Sequence, residues 1–307
     1  HRCGHYQCAT GANRCDSHNR CQCDPGRPGN GRTKCARNRC ICSSVDDPHI
    51  TLFDAGNPIV TVNLQCTYQL ARLRGGGPHL NCKQGSVYME TEMRGTGNMA
   101  YFLIFASKIK AVVVNQRGKP RPSTVEVGRT TAGTPNADGF ITTTTNACDL
   151  ELGYNEHHGA VYLSGPGQKI YIRRDGMCGD CDGRTNENPG TTAAEHLTYA
   201  LALLAPPAQQ QSAPYRSDCV ALKYIADRCQ GQKLAMASSI CYPWISRHFG
   251  LCLLDNDDVA DYPALLASFR TCLRDVCRRS LATACTNLAN QAAASAKCSV
   301  AKPAQCP

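Results

Sequence analysis

The chain has 307 residues, enough for two or three domains with cores of their own, and a net charge of +9 from 33 Lys/Arg against 24 Asp/Glu. Its 22 cysteines approach the density of disulfide scaffolds, which implies an oxidising, secreted setting and argues against a nucleic-acid partner. No apolar run reaches the ~18 residues of a membrane span, and the best stretch, 99–114, is interrupted by Lys108 and Lys110.

The opening His1-Arg2-Cys3 shows no signal-peptide pattern and reads as a processed start. Residues 1–42 carry eight Arg or Lys against two Asp, the most basic part of the chain. Scattered arginines of this kind suit acidic glycans or an anionic surface, or serve only as a solvated face. Cys3, Cys8, Cys15, Cys21, Cys23 and Cys35 punctuate a Gly/Pro-rich segment with almost nothing apolar to bury, so bridges must hold it together. The spacing, with a Cys-x-Cys before a glycine turn, resembles an epidermal growth factor-like module over 1–41. That resemblance implies Cys3 with Cys15, Cys8 with Cys21, and Cys23 with Cys35.

From Val45 the pattern becomes that of an antiparallel β domain. Val60, Val62 and Leu64 point one way and Thr61 and Asn63 the other, while Val87, Met89 and Met93 alternate with Tyr88, Glu90 and Glu92. Further strands are expected at 101–105, 110–114, 140–144, 160–164 and 169–173, separated by Gly/Pro turns. The Thr-rich stretches 123–134 and 142–145 read as β-branched strand residues, with O-linked sugar as the other reading. His157-His158, beside Glu156 in a glycine-flanked turn, suggests a surface loop.

The stretch Asp175-Gly-Met-Cys-Gly-Asp-Cys-Asp-Gly-Arg-Thr-Asn-Glu-Asn188 is the one that can hold a hard cation. Asp180, Asp182 and the Arg184 carbonyl fall at alternate positions, and Gly183 permits the bend, as in loops that wrap oxygen ligands around calcium. A metal-free polar hairpin is the plain alternative. A redox C-x-x-C at Cys178 and Cys181 is another, disfavoured where thiols are consumed as bridges.

Two motifs carry a family resemblance. The run Cys42-Ser-Ser-Val-Asp-Asp-Pro-His-Ile-Thr-Leu-Phe-Asp54 resembles the opening of a von Willebrand factor type D domain, with its Gly-Asp-Pro-His and Phe-Asp pair. Gly176-Met-Cys-Gly-Asp-Cys-Asp-Gly183 is similar to that domain's closing Gly-Leu-Cys-Gly-Asn turn. Two positions depart: Asp46 stands where the family has glycine, and Asp175 where many members have a cysteine. The resemblance implies an antiparallel β-sandwich over 42–204. It also implies a structural Ca2+ held by Asp54, Asp180, Asp182, the Arg184 carbonyl, Glu187 and Asn188, with Asn186 in reserve. Cys42 with Cys178 and Cys66 with Cys219 follow from it, and Cys40 with Cys181 and Cys82 with Cys148 complete the set. Some relatives break their Asp-Pro bond. Here self-cleavage at Asp47-Pro48 would appear only on a reducing gel, and the Asp46 side chain weighs against it.

After an expected Pro/Gln linker at 205–214 the chain turns helical. Leu265, Phe269, Cys272, Leu273 and Val276 recur at helical spacing behind Asp261, an N-cap candidate, and Trp244 reads as core. Cys219, Cys229, Cys241, Cys252, Cys272, Cys277, Cys285 and Cys298 resemble the eight-cysteine C8 module that follows D domains in mucin-, zonadhesin- or tectorin-like assemblies. That implies a helical module over 215–307, with Cys306 at the start of a trypsin-inhibitor-like segment. The implied pairs are Cys229 with Cys277, Cys241 with Cys272 and Cys252 with Cys298, leaving Cys285 for Cys306.

The expected fold is therefore mostly β with an α-helical C-terminal module. The expected role is a secreted, calcium-stabilised structural or adhesive protein of mucus or extracellular matrix. Its partners would be acidic glycans, other matrix proteins or further copies of itself. No catalytic motif such as Gly-x-Ser-x-Gly or His-Glu-x-x-His occurs. The family includes a luciferase, so an extracellular luciferase- or oxidase-like enzyme is the alternative.

Overall fold

The computed structural model describes residues 2–3, 6–8, 14–15, 19, 21–22, 39–45, 49–53, 59–62, 64–74, 84–95, 102–114, 123–145, 150–166, 171–172, 176–180, 189–211, 215–247, 262–294 and 306. Two antiparallel ribbons lie in the N-terminal segment: β1 (Arg2–Cys3) with β2 (Tyr6–Gln7), and β3 (Arg14–Cys15) with β4 (Cys21–Gln22). Among the described residues, two larger antiparallel sheets follow, and then five α-helices. The architecture is thus mostly β with a helical C-terminal part.

The six-stranded sheet runs β12 (Ile141–Thr145), β13 (Leu150–Asn155), β14 (Ala160–Pro166), β5 (Arg39–Val45), β6 (His49–Thr51) and β7 (Ile59–Thr61). The five-stranded sheet runs β11 (Ser123–Gly128), β10 (Phe102–Val114), β9 (Gln84–Gly95), β8 (Thr67–Arg74) and β15 (Tyr171–Ile172). Their inward residues share one core, in which Val87, Met89, Ile109 and Val113 of one sheet join Ile50, Val60, Leu152 and Leu163 of the other.

Two bulges shape the five-stranded sheet. Strands expected at 101–105 and 110–114 are one strand, β10, with an irregularity between Ala106 and Lys108. A bulge inserts one residue and so reverses which parity faces the core. Ile104 and Ala106 are buried before it and Ile109, Ala111 and Val113 after it, which leaves Lys108 free to pair with Glu90 at 3.0 Å. Gly128 lies opposite, where a Cβ would come within 2.5 Å of the Ser107 carbonyl. β8 shifts in the same way between Gln69 and Ala71, so that Tyr68, Leu70, Ala71 and Leu73 are all buried.

In β9 Tyr88 is buried rather than outward, while Thr91 keeps the inward parity of Val87 and Met89 and is fully buried. Its hydroxyl accepts the Cys66 N–H at 2.9 Å and lies 3.1 Å from the Leu64 carbonyl, so a polar side chain is satisfied inside the core.

The first helix, α1 (Ala193–Ala202), begins in a capping box: the Thr192 hydroxyl accepts the Glu195 N–H, and the Glu195 carboxylate accepts the Thr192 N–H. Then come α2 (Arg216–Arg228), α3 (Gln232–Arg247), α4 (Tyr262–Arg278) and α5 (Leu281–Ala294). Their buried stripes include Leu222 and Ile225, Ile240 and Trp244, Leu266, Phe269 and Leu273, and Ala284 and Leu288. Leu281 closes against them. Asp218 of α2 binds Arg270 of α4 at 2.7 Å, and the fully buried Asp275 of α4 accepts the Asn287 amide of α5 at 2.6 Å.

The helices do not form a separate unit behind a linker. They belong to the same continuous core as the sheets. The segment expected as a linker holds a 3-10 turn, Pro207–Gln209, and then Gln210, which has no exposed surface. Gln210 Oε1 accepts the Thr67 N–H at 3.1 Å, and its Nε2 donates to the carbonyls of Thr67 and Ala205, both at 2.9 Å. An amide with donor and acceptor ends fits a strand edge, which is why a polar residue is drawn inside here.

Candidate functional site

Strand β8 seats both the closing turn and the end of the first helix. Its outer edge would be an open row of N–H and C=O groups, a template for unwanted pairing. Three segments cover it in succession. β15 pairs at Leu73 and Arg74. The closing turn docks on the bulge, with Met177 N–H donating to the Gln69 carbonyl and Cys178 N–H to the Leu70 carbonyl, each at 2.9 Å. The end of α1 completes the edge through Gln69 N–H to the Leu203 carbonyl at 2.8 Å and Ala205 N–H to the Thr67 carbonyl at 2.9 Å.

Gly176 makes that docking possible, because a Cβ there would sit 2.4 Å from the Leu70 carbonyl. Tyr199 of α1 donates its hydroxyl to the Gly176 carbonyl at 3.2 Å, and Met177 is fully buried. The opening motif reaches the same place. Cys42 of β5 is joined to Cys178, and the Phe53 N–H donates to the Cys178 carbonyl at 3.0 Å. Phe53 directly precedes Asp54 in the chain, and Asp180 lies two residues past Cys178 and is half-buried. The two ends of the β region therefore meet at the turn read as a cation loop.

Of the residues assigned to the metal, Asp180 is described. Asp54, Asp182, Arg184, Asn186, Glu187 and Asn188 lie outside the described residues, as do Asp47 and Pro48. His49 of the opening motif is exposed on β6, its Nδ1 3.2 Å from the Thr61 hydroxyl. His157 and His158 occupy an exposed turn whose amides donate to the Asn155 side chain.

Among the described residues seven cysteine pairs come together: Cys3 with Cys15, Cys8 with Cys21, Cys42 with Cys178, Cys66 with Cys219, Cys229 with Cys277, Cys241 with Cys272, and Cys285 with Cys306. Cys40 is also disulfide-bonded, to a cysteine outside the described residues. Cys23, Cys35, Cys82, Cys148, Cys181, Cys252 and Cys298 lie outside them too. Because Cys178 is bonded to Cys42 and fully buried, it does not form a C-x-x-C bridge with Cys181. The sulfurs of Cys3, Cys8 and Cys21 cluster within 4.8 Å, but their disulfides leave no thiolate there for a metal.

Next to β8 the sheets and helices are welded by tyrosines that the sequence reading passed over. The Tyr68 hydroxyl donates to the Leu64 carbonyl at 2.7 Å, and the Tyr262 hydroxyl accepts the Gln65 N–H at 3.0 Å. Tyr215 meets Tyr262 edge to face, ring centroids 4.7 Å apart. Burial pushes the Tyr68 and Tyr262 hydroxyls up from the usual phenol range, so both stay neutral and structural. Beside them, Cys66 is tied to Cys219 at the first turn of α2.

No family model matches the chain, and no curated protein matches its sequence. Among the described residues no helix is long and apolar enough to cross a membrane. The disulfides are consistent with an extracellular protein.

Proposed function

We propose that the chain is a secreted D-type assembly: an epidermal growth factor-like module, a von Willebrand factor type D β-sandwich and a C8 helical module, acting as a stiff structural or adhesive unit of mucus or extracellular matrix. One observation carries the reading. The Phe53 N–H bonds the Cys178 carbonyl, so the segments leading to Asp54 and Asp180 converge although far apart in sequence.

Calcium fits that convergence. The residues that would hold it, Asp54, Asp180, Asp182, Glu187 and Asn188 with the Arg184 carbonyl, offer only oxygen, the donor set of a hard cation, with neither thiolate nor imidazole to favour zinc. The ion would offset the mutual repulsion of the carboxylates. The Cys42–Cys178 bridge holds the same turn covalently, so the role is that of a staple. Chelation is expected to lower the melting temperature, and Asp182→Ala to do so without chelator. Identical melting in calcium and in excess chelator would sink the metal reading.

The basic N-terminal segment is the face for acidic glycans, through contacts screened over ~10 Å at 0.1 M salt. Retention on heparin should fall as salt rises and should be lost without residues 1–41. Equal retention of the truncated protein would refute that role.

A further inference from the structure

The Thr-rich stretch between β11 and β12 divides in the structure. Ser123 and Thr124 lie in β11, and Thr142 to Thr145 in β12, with their backbones committed to strand pairing. Between the strands, 129–140 form a connection whose base is fixed. Asn136 N–H donates to the Phe140 carbonyl, and the Asn136 side chain accepts the N–H groups of Asp138 and Phe140 at 3.0 and 2.9 Å. The Phe140 ring packs edge-on against Tyr162, centroids 5.0 Å apart.

The crest of this connection, 132–135, is exposed throughout and free of regular structure. Three threonines stand on or beside it, and they are not equivalent. Thr131 is half-buried and its hydroxyl accepts the Gly128 N–H at 2.9 Å. Thr130 sits in the turn that leaves β11. Thr134 is exposed, makes no side-chain hydrogen bond among the described residues, and is flanked by Gly133 and Pro135. A following proline disfavours helical conformations and holds the preceding residue extended. Small, exposed neighbours leave the hydroxyl open to an enzyme cleft, and Thr next to Pro is the composition of O-glycosylated segments.

We propose that Thr134 is a modification site that takes an O-linked N-acetylhexosamine. In the transfer the Thr134 Oγ1 bonds the anomeric carbon of a nucleoside-diphosphate N-acetylhexosamine. The bond from that carbon to the diphosphate oxygen breaks, the nucleoside diphosphate leaves with the electron pair, and the hydroxyl proton passes to a base of the transferase. The proposal rests on the secretory reading, since donor and transferase meet the folded chain in that pathway.

The test is secretion of the full chain from animal cells, reduction, cleavage after Arg129 and Lys169, and electron-transfer fragmentation of peptide 130–169. The expected result is an N-acetylhexosamine-based glycan on Thr134, lost in Thr134→Ala, kept in Thr134→Ser and reduced in occupancy in Pro135→Ala. Thr134→Ala and Thr134→Ser should melt with the wild type, because the Thr134 side chain makes no hydrogen bond among the described residues. An unmodified peptide from secreted, fully disulfide-bonded protein overturns the proposal, as does sugar confined to Thr130 or Thr142. Protein retained in the cells with free thiols would instead overturn the secretory reading, and the proposal with it.

Discussion

The bridge between Cys66 and Cys219 is the sharpest probe of how the sheets and helices are joined. Both cysteines have no exposed surface, and the bridge spans 153 residues. In the chain-entropy picture a loop of that length gives about 5 kcal/mol. The unfolded chain already has a shortcut, because Cys42–Cys178 stays closed. The path then runs from 66 back to 42, across that bridge, and on from 178 to 219, a loop of about 65 residues worth about 4 kcal/mol. Cys66→Ala with Cys219→Ala should therefore cost about 4 kcal/mol and lower the melting temperature by roughly 10 °C.

Urea unfolding followed by two probes reads this cleanly. Trp244, the sole tryptophan, is buried in α3 and reports the helices, while the amide infrared band reports the sheets. The two signals should stay coincident in both proteins, because Gln210, Tyr262 and the shared core still join the layers without the bridge. A loss under ~1.5 kcal/mol would refute the loop argument. Separate transitions in the wild type would refute the continuous core.

Gln210→Ala removes three buried hydrogen bonds at the end of β8 and should cost about 2–4 kcal/mol, read by the same unfolding experiment; a change within the noise would mean that water replaces the amide. The Glu195 carboxyl is held below its ordinary value of 4.5, first by the Thr191 N–H, then by the N–H and hydroxyl of Thr192. A lowered folded pKa adds stability above the unfolded value that is lost as pH falls through the folded one. Acidification below the ordinary glutamate range should therefore loosen the start of α1 more in the wild type than in Glu195→Gln, as followed by amide exchange; parallel pH profiles would rule this out.

What the sequence made legible was what repeats locally or sits in a compact motif. Alternation located Val60, Val62, Val87 and Met89 in the core, and helical spacing did the same for Phe269, Leu273 and Val276. The cysteine partners came from the likeness of whole motifs, because spacing alone leaves many pairings open. Positions that break a period were misread. Lys108 and Lys110 look like an interruption, yet they follow a bulge that flips the strand, so 101–114 divided into two strands on paper. Gln210 looks like a linker residue. It is buried because a distant backbone group, at Thr67, needs it. A hydrogen bond owed to a partner 143 residues away leaves no local pattern.

The bulge in β8 has a consequence for how the molecule responds to load. It turns the carbonyls of Gln69 and Leu70 toward the closing turn, and the amides of Met177 and Cys178 occupy them. The same strand receives α1 at Gln69 and Thr67, and the residues just before it, Gln65 and Cys66, hold α4 and α2 through Tyr262 and Cys219. A pull on β5 would pass by the Cys42–Cys178 bridge to the turn, by the turn to the β8 bulge, and by β8 to the helices, through disulfides and hydrogen bonds between described residues. On the proposed reading, such a linkage suits a structural unit that holds a surface in place. It also explains why the turn is secured twice over on the proposed reading, by a disulfide and by a cation: if it left β8, the carbonyls of Gln69 and Leu70 would lose their partners.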